Sequence, residues 1–73
     1  MSMPEMTPVD SSNVASVGHD PETSALYVEF IGGGLYVYSG VDTQTFDELR
    51  DAASVGSFLN RVIKPNFSYS KVS

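Results

Sequence analysis

The stretch Ala25-Leu26-Tyr27-Val28-Glu29-Phe30-Ile31-Gly32-Gly33-Gly34-Leu35-Tyr36-Val37-Tyr38-Ser39 decides the fold. Two runs rich in β-branched and aromatic residues flank a triple glycine, which is the pattern of a β-hairpin. A three-residue loop at Gly32-Gly33-Gly34 sets Ile31 opposite Leu35, Phe30 opposite Tyr36 and Val28 opposite Tyr38. Leu26, Val28, Phe30, Tyr36 and Tyr38 then share one face, and Tyr27, Glu29, Ile31, Leu35 and Val37 share the other. A two-residue loop would move Tyr36 and Tyr38 across the sheet, because a one-residue slip inverts every side chain. The first register is preferred.

Working outward, Val14-Ala15-Ser16-Val17-Gly18-His19 reads as an earlier, weaker strand, joined to the hairpin by the turn Asp20-Pro21-Glu22-Thr23-Ser24. On the other side Asp42 suits a helix N-cap. Phe46, Leu49, Ala52 and Ala53 fall on one face of the helix it opens, with Asp47, Glu48 and Asp51 largely on the other. Ser54-Val55-Gly56 breaks that pattern. A second short helix runs over residues 57–63, with Phe58, Leu59, Val62 and Ile63 as its apolar stripe, and Pro65 is expected to stop it. The expected fold is α+β: a three-stranded antiparallel meander covered on its Phe30 face by two short helices. Phe67 and Tyr69 either add a short fourth strand or fold back. Residues 1–8, with two prolines and little to pack, are expected to form a flexible tail, and residues 9–73 a single domain.

A chain of 73 residues makes one domain at most. It buries only about 60% of its unfolded surface, so its stability margin is thin. It has no Cys, which excludes disulfides and thiolate metal sites, and a single His, which argues against a zinc cage. Association with a second copy remains as the route to extra stability. The apolar side chains Tyr27, Ile31, Leu35 and Val37, around the single charge of Glu29, supply a face for it, and a homo-oligomer is expected. The start of the chain lacks the features of a signal peptide, no apolar run spans a membrane, and the absence of Cys fits a reducing cytoplasm. The net charge is −5, unevenly distributed. Residues 1–55 hold all nine acidic residues and one cation, Arg50, whereas residues 56–73 hold Arg61, Lys64, Lys71 and no acid. Such a balance disfavours broad binding to polyanions, while leaving one basic corner.

Val9-Asp10-Ser11-Ser12-Asn13-Val14, Leu26-Tyr27-Val28-Glu29-Phe30, Gly34-Leu35-Tyr36-Val37-Tyr38 with Val41, and Ala53-Ser54-Val55-Gly56-Ser57-Phe58-Leu59-Asn60 with Ile63 together resemble the KTSC domain. That family takes its name from the C-terminus of some lysyl-tRNA synthetases and is marked by a central Tyr-x-Tyr. Stand-alone members occur in bacteria and phages. The resemblance implies a bacterial or phage-infected cell, and the synthetase association suggests RNA. His19 stands where the family usually carries a tyrosine, and Pro65 interrupts a stretch that is usually more basic. Both departures weaken the expectation of an RNA surface.

Arg61 and Lys64 are three apart on the second helix and so able to face one direction, with Asn60 beside them and Lys71 reachable from the tail. Together they form the one basic cluster able to clamp a phosphate, although cations also suit a solvated helix end. Tyr36 and Tyr38 offer an aromatic wall for a base, or serve simply as core tyrosines. Asp10, Ser11, Ser12, His19 and Asp20 contain the atom types of a hydrolytic triad but no nucleophile elbow, and the triple glycine opens no helix. The expectation is therefore a non-catalytic module that needs no cofactor or metal. It would bind a small phosphorylated or cyclic nucleotide in preference to long RNA, and in a phage setting would sequester a host nucleotide signal. The alternative is an interaction module that uses the apolar outer sheet face.

Overall fold

The computed structural model describes residues 4–73. Five strands, β1 (Thr7–Pro8), β2 (Val14–Asp20), β3 (Ala25–Phe30), β4 (Leu35–Ser39) and β5 (Tyr69–Lys71), form one antiparallel sheet in sequential order. The expected meander is its centre, β2 to β4, and the sheet is two strands wider. Thr7 and Pro8 pair with Val17 and Ser16 on one edge. The first three residues of the expected tail lie outside the described residues. On the other edge Tyr69 pairs with Tyr38 and Lys71 with Tyr36, so the C-terminal segment adds a strand instead of folding back. The Ser39 N–H donating to the Ser68 carbonyl at 2.8 Å, and the Leu35 N–H donating to that of Ser73 at 2.9 Å, extend that ladder at both ends.

The hairpin keeps the expected faces but not the expected partners. Val28 lies opposite Tyr36 and Leu26 opposite Tyr38, two residues away from the register that set Ile31 against Leu35. The turn closes one residue earlier, with the Phe30 N–H donating to the Gly34 carbonyl at 3.0 Å and the Gly33 N–H to that of Phe30 at 3.2 Å. Ile31 is drawn out of the hairpin because its N–H bonds to the Asn13 carbonyl at 2.9 Å, in the loop before β2. Gly32 and Gly33, with φ of 91° and 116°, take up the turn in a region that side chains resist. A shift of two residues preserves parity, so Leu26, Val28, Phe30, Tyr36 and Tyr38 remain on one face.

That face carries the core. Leu26, Val28 and Tyr38 pack with Val14 and Val17 of β2 beneath Phe46, Leu49, Val55, Leu59 and Ile63 of the helical segments. The register of β2 against β3 shifts between Val14 and Ser16, so a bulge at Ala15 lets both Val14 and Val17 face inward although their spacing is odd. Phe30 is not the centre of the core. It is half-buried at the margin, because its cross-strand neighbour on the β4 side is turn glycine and not a side chain.

Helix α1 (Thr43–Arg50) starts as expected, with Asp42 Oδ1 accepting the Thr45 N–H at 2.8 Å. Phe46 and Leu49 are buried, whereas Ala53, assigned to the same face by periodicity, is exposed because the helix ends at Arg50. Ser54-Val55-Gly56 begins the next helical stretch: Ser54 Oγ accepts the Ser57 N–H at 3.3 Å and caps α2 (Val55–Phe58). A π-helical segment (Leu59–Ile63) and a last turn, α3 (Lys64–Asn66), follow without interruption. Pro65 therefore does not stop the stretch. A proline ring presses on the carbonyl four residues back. The coil is widened just before it, with the Lys64 N–H reaching the Leu59 carbonyl, and the stretch ends only at Phe67, which is extended. Among the described residues no helix is long and apolar enough to cross a membrane.

Candidate functional site

The alternation of β4 turns Tyr36 and Tyr38 toward the helix-covered face, and the pairing with β5 puts Tyr69 and Lys71 on the same face beside them. Where α3 ends, this face is left partly uncovered. The result is an open cleft of about 390 Å³ lined by Phe30, Gly33, Tyr36, Tyr38, Lys64 and Tyr69. Its rings form a continuous wall. Phe30 meets Tyr36 edge to face at 5.5 Å, and Tyr69 lies 5.8 Å from Tyr36 and 5.7 Å from Tyr38 between ring centroids. Tyr69 remains 62% exposed, so one side of this wall is open to a ligand.

Lys64 supplies the cation. Its Nζ stands 5.7 Å from the centroid of the Phe30 ring. Among the described residues Lys64, Lys71 and Arg61 join no ion pair, whereas Arg50 is held by Asp47 at 3.2 Å and Asp51 at 3.3 Å. Burial, with Tyr69 and Tyr36 adding to it, pushes the Tyr38 hydroxyl above the ordinary phenol range.

Of the residues singled out in the sequence for ligand binding, Tyr36, Tyr38 and Lys64 come together in this cleft, with Lys71 next to Tyr36 across the β4–β5 pair. Asn60 does not join them. It lines a second cleft, of about 340 Å³, with Asp10, Ser11, Ser12, Asn13 and Ser57. Arg61 is exposed on the same helical stretch and lines neither cleft. Sequence reading passed over Phe30 and Tyr69 as ligand contacts. The signal for Tyr69 was the period-two run Phe67-x-Tyr69-x-Lys71, which as a strand puts ring and ammonium on one side.

The atom types of a hydrolytic triad are dispersed. His19 donates its Nε2 hydrogen to the Val41 carbonyl at 2.6 Å and stacks on Phe46 with centroids 5.2 Å apart, pinning the end of β2 to the start of α1. Ser11 Oγ accepts the N–H groups of Asn13 and Val14 at 3.3 and 3.2 Å. On the outer sheet face Ile31 is 57% exposed, and Tyr27, Leu35 and Val37 are half-buried. Glu29 on that face accepts the Ser16 hydroxyl at 3.0 Å. Part of the face is taken by the chain itself: a Cβ at Gly18 would stand 2.7 Å from Met6 Sδ and 2.9 Å from the Glu5 carbonyl oxygen.

Residues 10–67 match the sequence profile of the KTSC domain. A protein of Tsukamurella paurometabola is 42% identical over 62 residues, covering 85% of this chain and 92% of that one. The lysine–tRNA ligase of a Nostoc species is 31% identical over 64 residues, which cover 88% of this chain but 11% of the ligase. The crystal structure of a KTSC domain protein from Yersinia pestis superposes with a TM-score of 0.90 at 35% identity, covering 94% of this chain and 97% of that one. These relatives are bacterial, and the profile takes in every lining residue of the polar cleft and all those of the aromatic cleft but Tyr69. The chain belongs to the KTSC domain family.

Proposed function

We propose that this domain is a non-catalytic binding module for a small phosphorylated or cyclic nucleotide, held in the aromatic cleft. The observation that carries the reading is the combination of the Phe30, Tyr36 and Tyr69 rings with the Lys64 ammonium at one margin. A base stacks on aromatic faces with little regard to its identity. Lys64, which joins no ion pair among the described residues, meets the phosphate, and Lys71 stands beside Tyr36 on the same sheet face. Charge favours a small ligand: with a net charge of −5, a long polyanion must approach an acidic surface, whereas one phosphate needs only one or two cations. Such a module acts by holding its ligand, and in a phage-infected cell it would withdraw a nucleotide signal from the host.

Calorimetric titration against cyclic and linear mononucleotides and a short single-stranded RNA tests this. Binding of a mononucleotide that is lost in Lys64→Ala supports it, and no binding by any of them removes it. The alternative, an oligomer built on the outer face, is favoured by the exposure of Ile31 beside Leu35 and Val37, and an oligomer that binds no nucleotide would put that alternative first.

A further inference from the structure

The second cleft has a chemistry unlike the first. Residues 10–13, ahead of β2, meet the start of the helical stretch there, and the fit is close: a Cβ at Gly56 would stand 2.7 Å from Asn13 Oδ1. Ser11 and Ser54 are used internally, Ser11 Oγ also donating to Asn13 Oδ1 at 3.0 Å. Among the described residues, the Asp10 carboxylate, the Ser12 and Ser57 hydroxyls, the Asn13 Nδ2 and the Asn60 carboxamide make no hydrogen bond within the chain. The lining holds no cation, so nothing there neutralises a phosphate, and Asp10 repels one. It holds no aromatic ring on which a base could stack. Carboxylate, carboxamide and hydroxyl groups together match a pair of neighbouring hydroxyls, which each donate and accept.

The two clefts are neighbours. The hydrogen bond of 2.9 Å from the Ile31 N–H to the Asn13 carbonyl ties the loop of one to the hairpin of the other, and Val14, next to Asn13, pairs with Phe30. Ser57, Asn60 and Lys64 lie on successive turns along one side of the helical stretch. Asn60 and Lys64 are four residues apart, about one turn of the π-helical segment. A ligand with its phosphate at Lys64 and its base on the rings therefore has, on the far side of the phosphate, a cleft suited to sugar hydroxyls.

We infer that the polar cleft takes a ribose joined through the phosphate to the nucleoside in the aromatic cleft, so that the ligand class is a ribonucleotide with a second ribose beyond its phosphate. The inference rests on the nucleotide reading above. Its test is calorimetric titration of the dinucleotide ApA and of its 2′-deoxy counterpart against the wild type, Asn60→Ala and Ser57→Ala. Asn60 and Ser57 are exposed, so circular dichroism should show both variants folded. The wild type should prefer the ribose form by roughly fivefold to tenfold, the scale of one or two neutral hydrogen bonds. That preference should collapse in Asn60→Ala and shrink in Ser57→Ala. Equal affinities for the two dinucleotides, or a preference unchanged by both substitutions, would overturn the inference and leave the aromatic site standing. No binding of either dinucleotide or of any mononucleotide would remove the nucleotide reading, and this inference with it.

Discussion

Lys64 holds its ammonium 5.7 Å from the centre of the Phe30 ring, so a cation from the end of the helical stretch stands over an aromatic from the hairpin. One cation of the basic corner and the aromatic wall, separate in the sequence, line one cleft.

Lys64→Ala should therefore weaken nucleotide binding by about 1.5–3 kcal/mol, the scale of a hydrogen bond to a charged group. Arg61→Ala should have the smaller effect, because Arg61 lines neither cleft. Calorimetry on the two variants ranks them. The reverse order would move the phosphate away from Phe30.

Tyr69→Ala should lower affinity by about 1–3 kcal/mol, the range for one base stacked on one ring. Tyr69→Phe keeps the ring and should retain most of the affinity. Since Tyr69 is 62% exposed, neither change should lower the melting temperature much. Equal affinity of Tyr69→Ala and the wild type would exclude β5 from the site.

Leu26→Ala or Leu49→Ala should destabilise the domain by roughly 2–5 kcal/mol, as for other fully buried leucines. Phe30→Ala should be milder, since its ring is half-buried at the cleft. Urea denaturation of the three variants orders them, and a Phe30 loss as large as that of Leu26 would place Phe30 at the centre of the core after all.

The Asp42 cap predicts an acid limb. Its hydrogen bonds to Thr45 hold the carboxyl below the ordinary aspartate value. A depressed folded-state value means stability that is present above the unfolded value and lost as pH falls through the folded one. Asp42→Asn keeps an accepting oxygen without titrating. Urea midpoints of the wild type should fall faster than those of Asp42→Asn over that acidic interval, and parallel curves would mean the cap carries no linkage.

The outer face predicts self-association. Sedimentation of the wild type should show an assembly, and Val37→Glu should return it to monomer if Tyr27, Ile31, Leu35 and Val37 are buried together. A wild type that stays monomeric at high concentration would remove this face as a contact.

The faces of the hairpin were legible because parity survives a two-residue shift. The register was not, because it depends on the Ile31 N–H being claimed by Asn13, eighteen residues upstream in the chain. β2 looked weak since the bulge at Ala15 breaks the alternation of Val14 and Val17. β5 was only half visible because each of its residues is exposed and takes its order from pairing with β4. At the site, Tyr36, Tyr38 and Lys64 could be read as candidates from residue type. Their meeting with Tyr69, and the separation of Asn60 from them, follow from tertiary placement.

The π-helical segment acts as a phase adjuster. Regular α-helix turns about 100° per residue. Winding the same residues 59–63 as regular α-helix, with none removed, would carry everything after them further round the axis. Lys64 would then swing away from Phe30 while Ser57 kept its place, so the two clefts would lose their alignment although each wall survived. The irregular turn before Pro65 is what sets the angle between them, and a more regular helix there would be a poorer one.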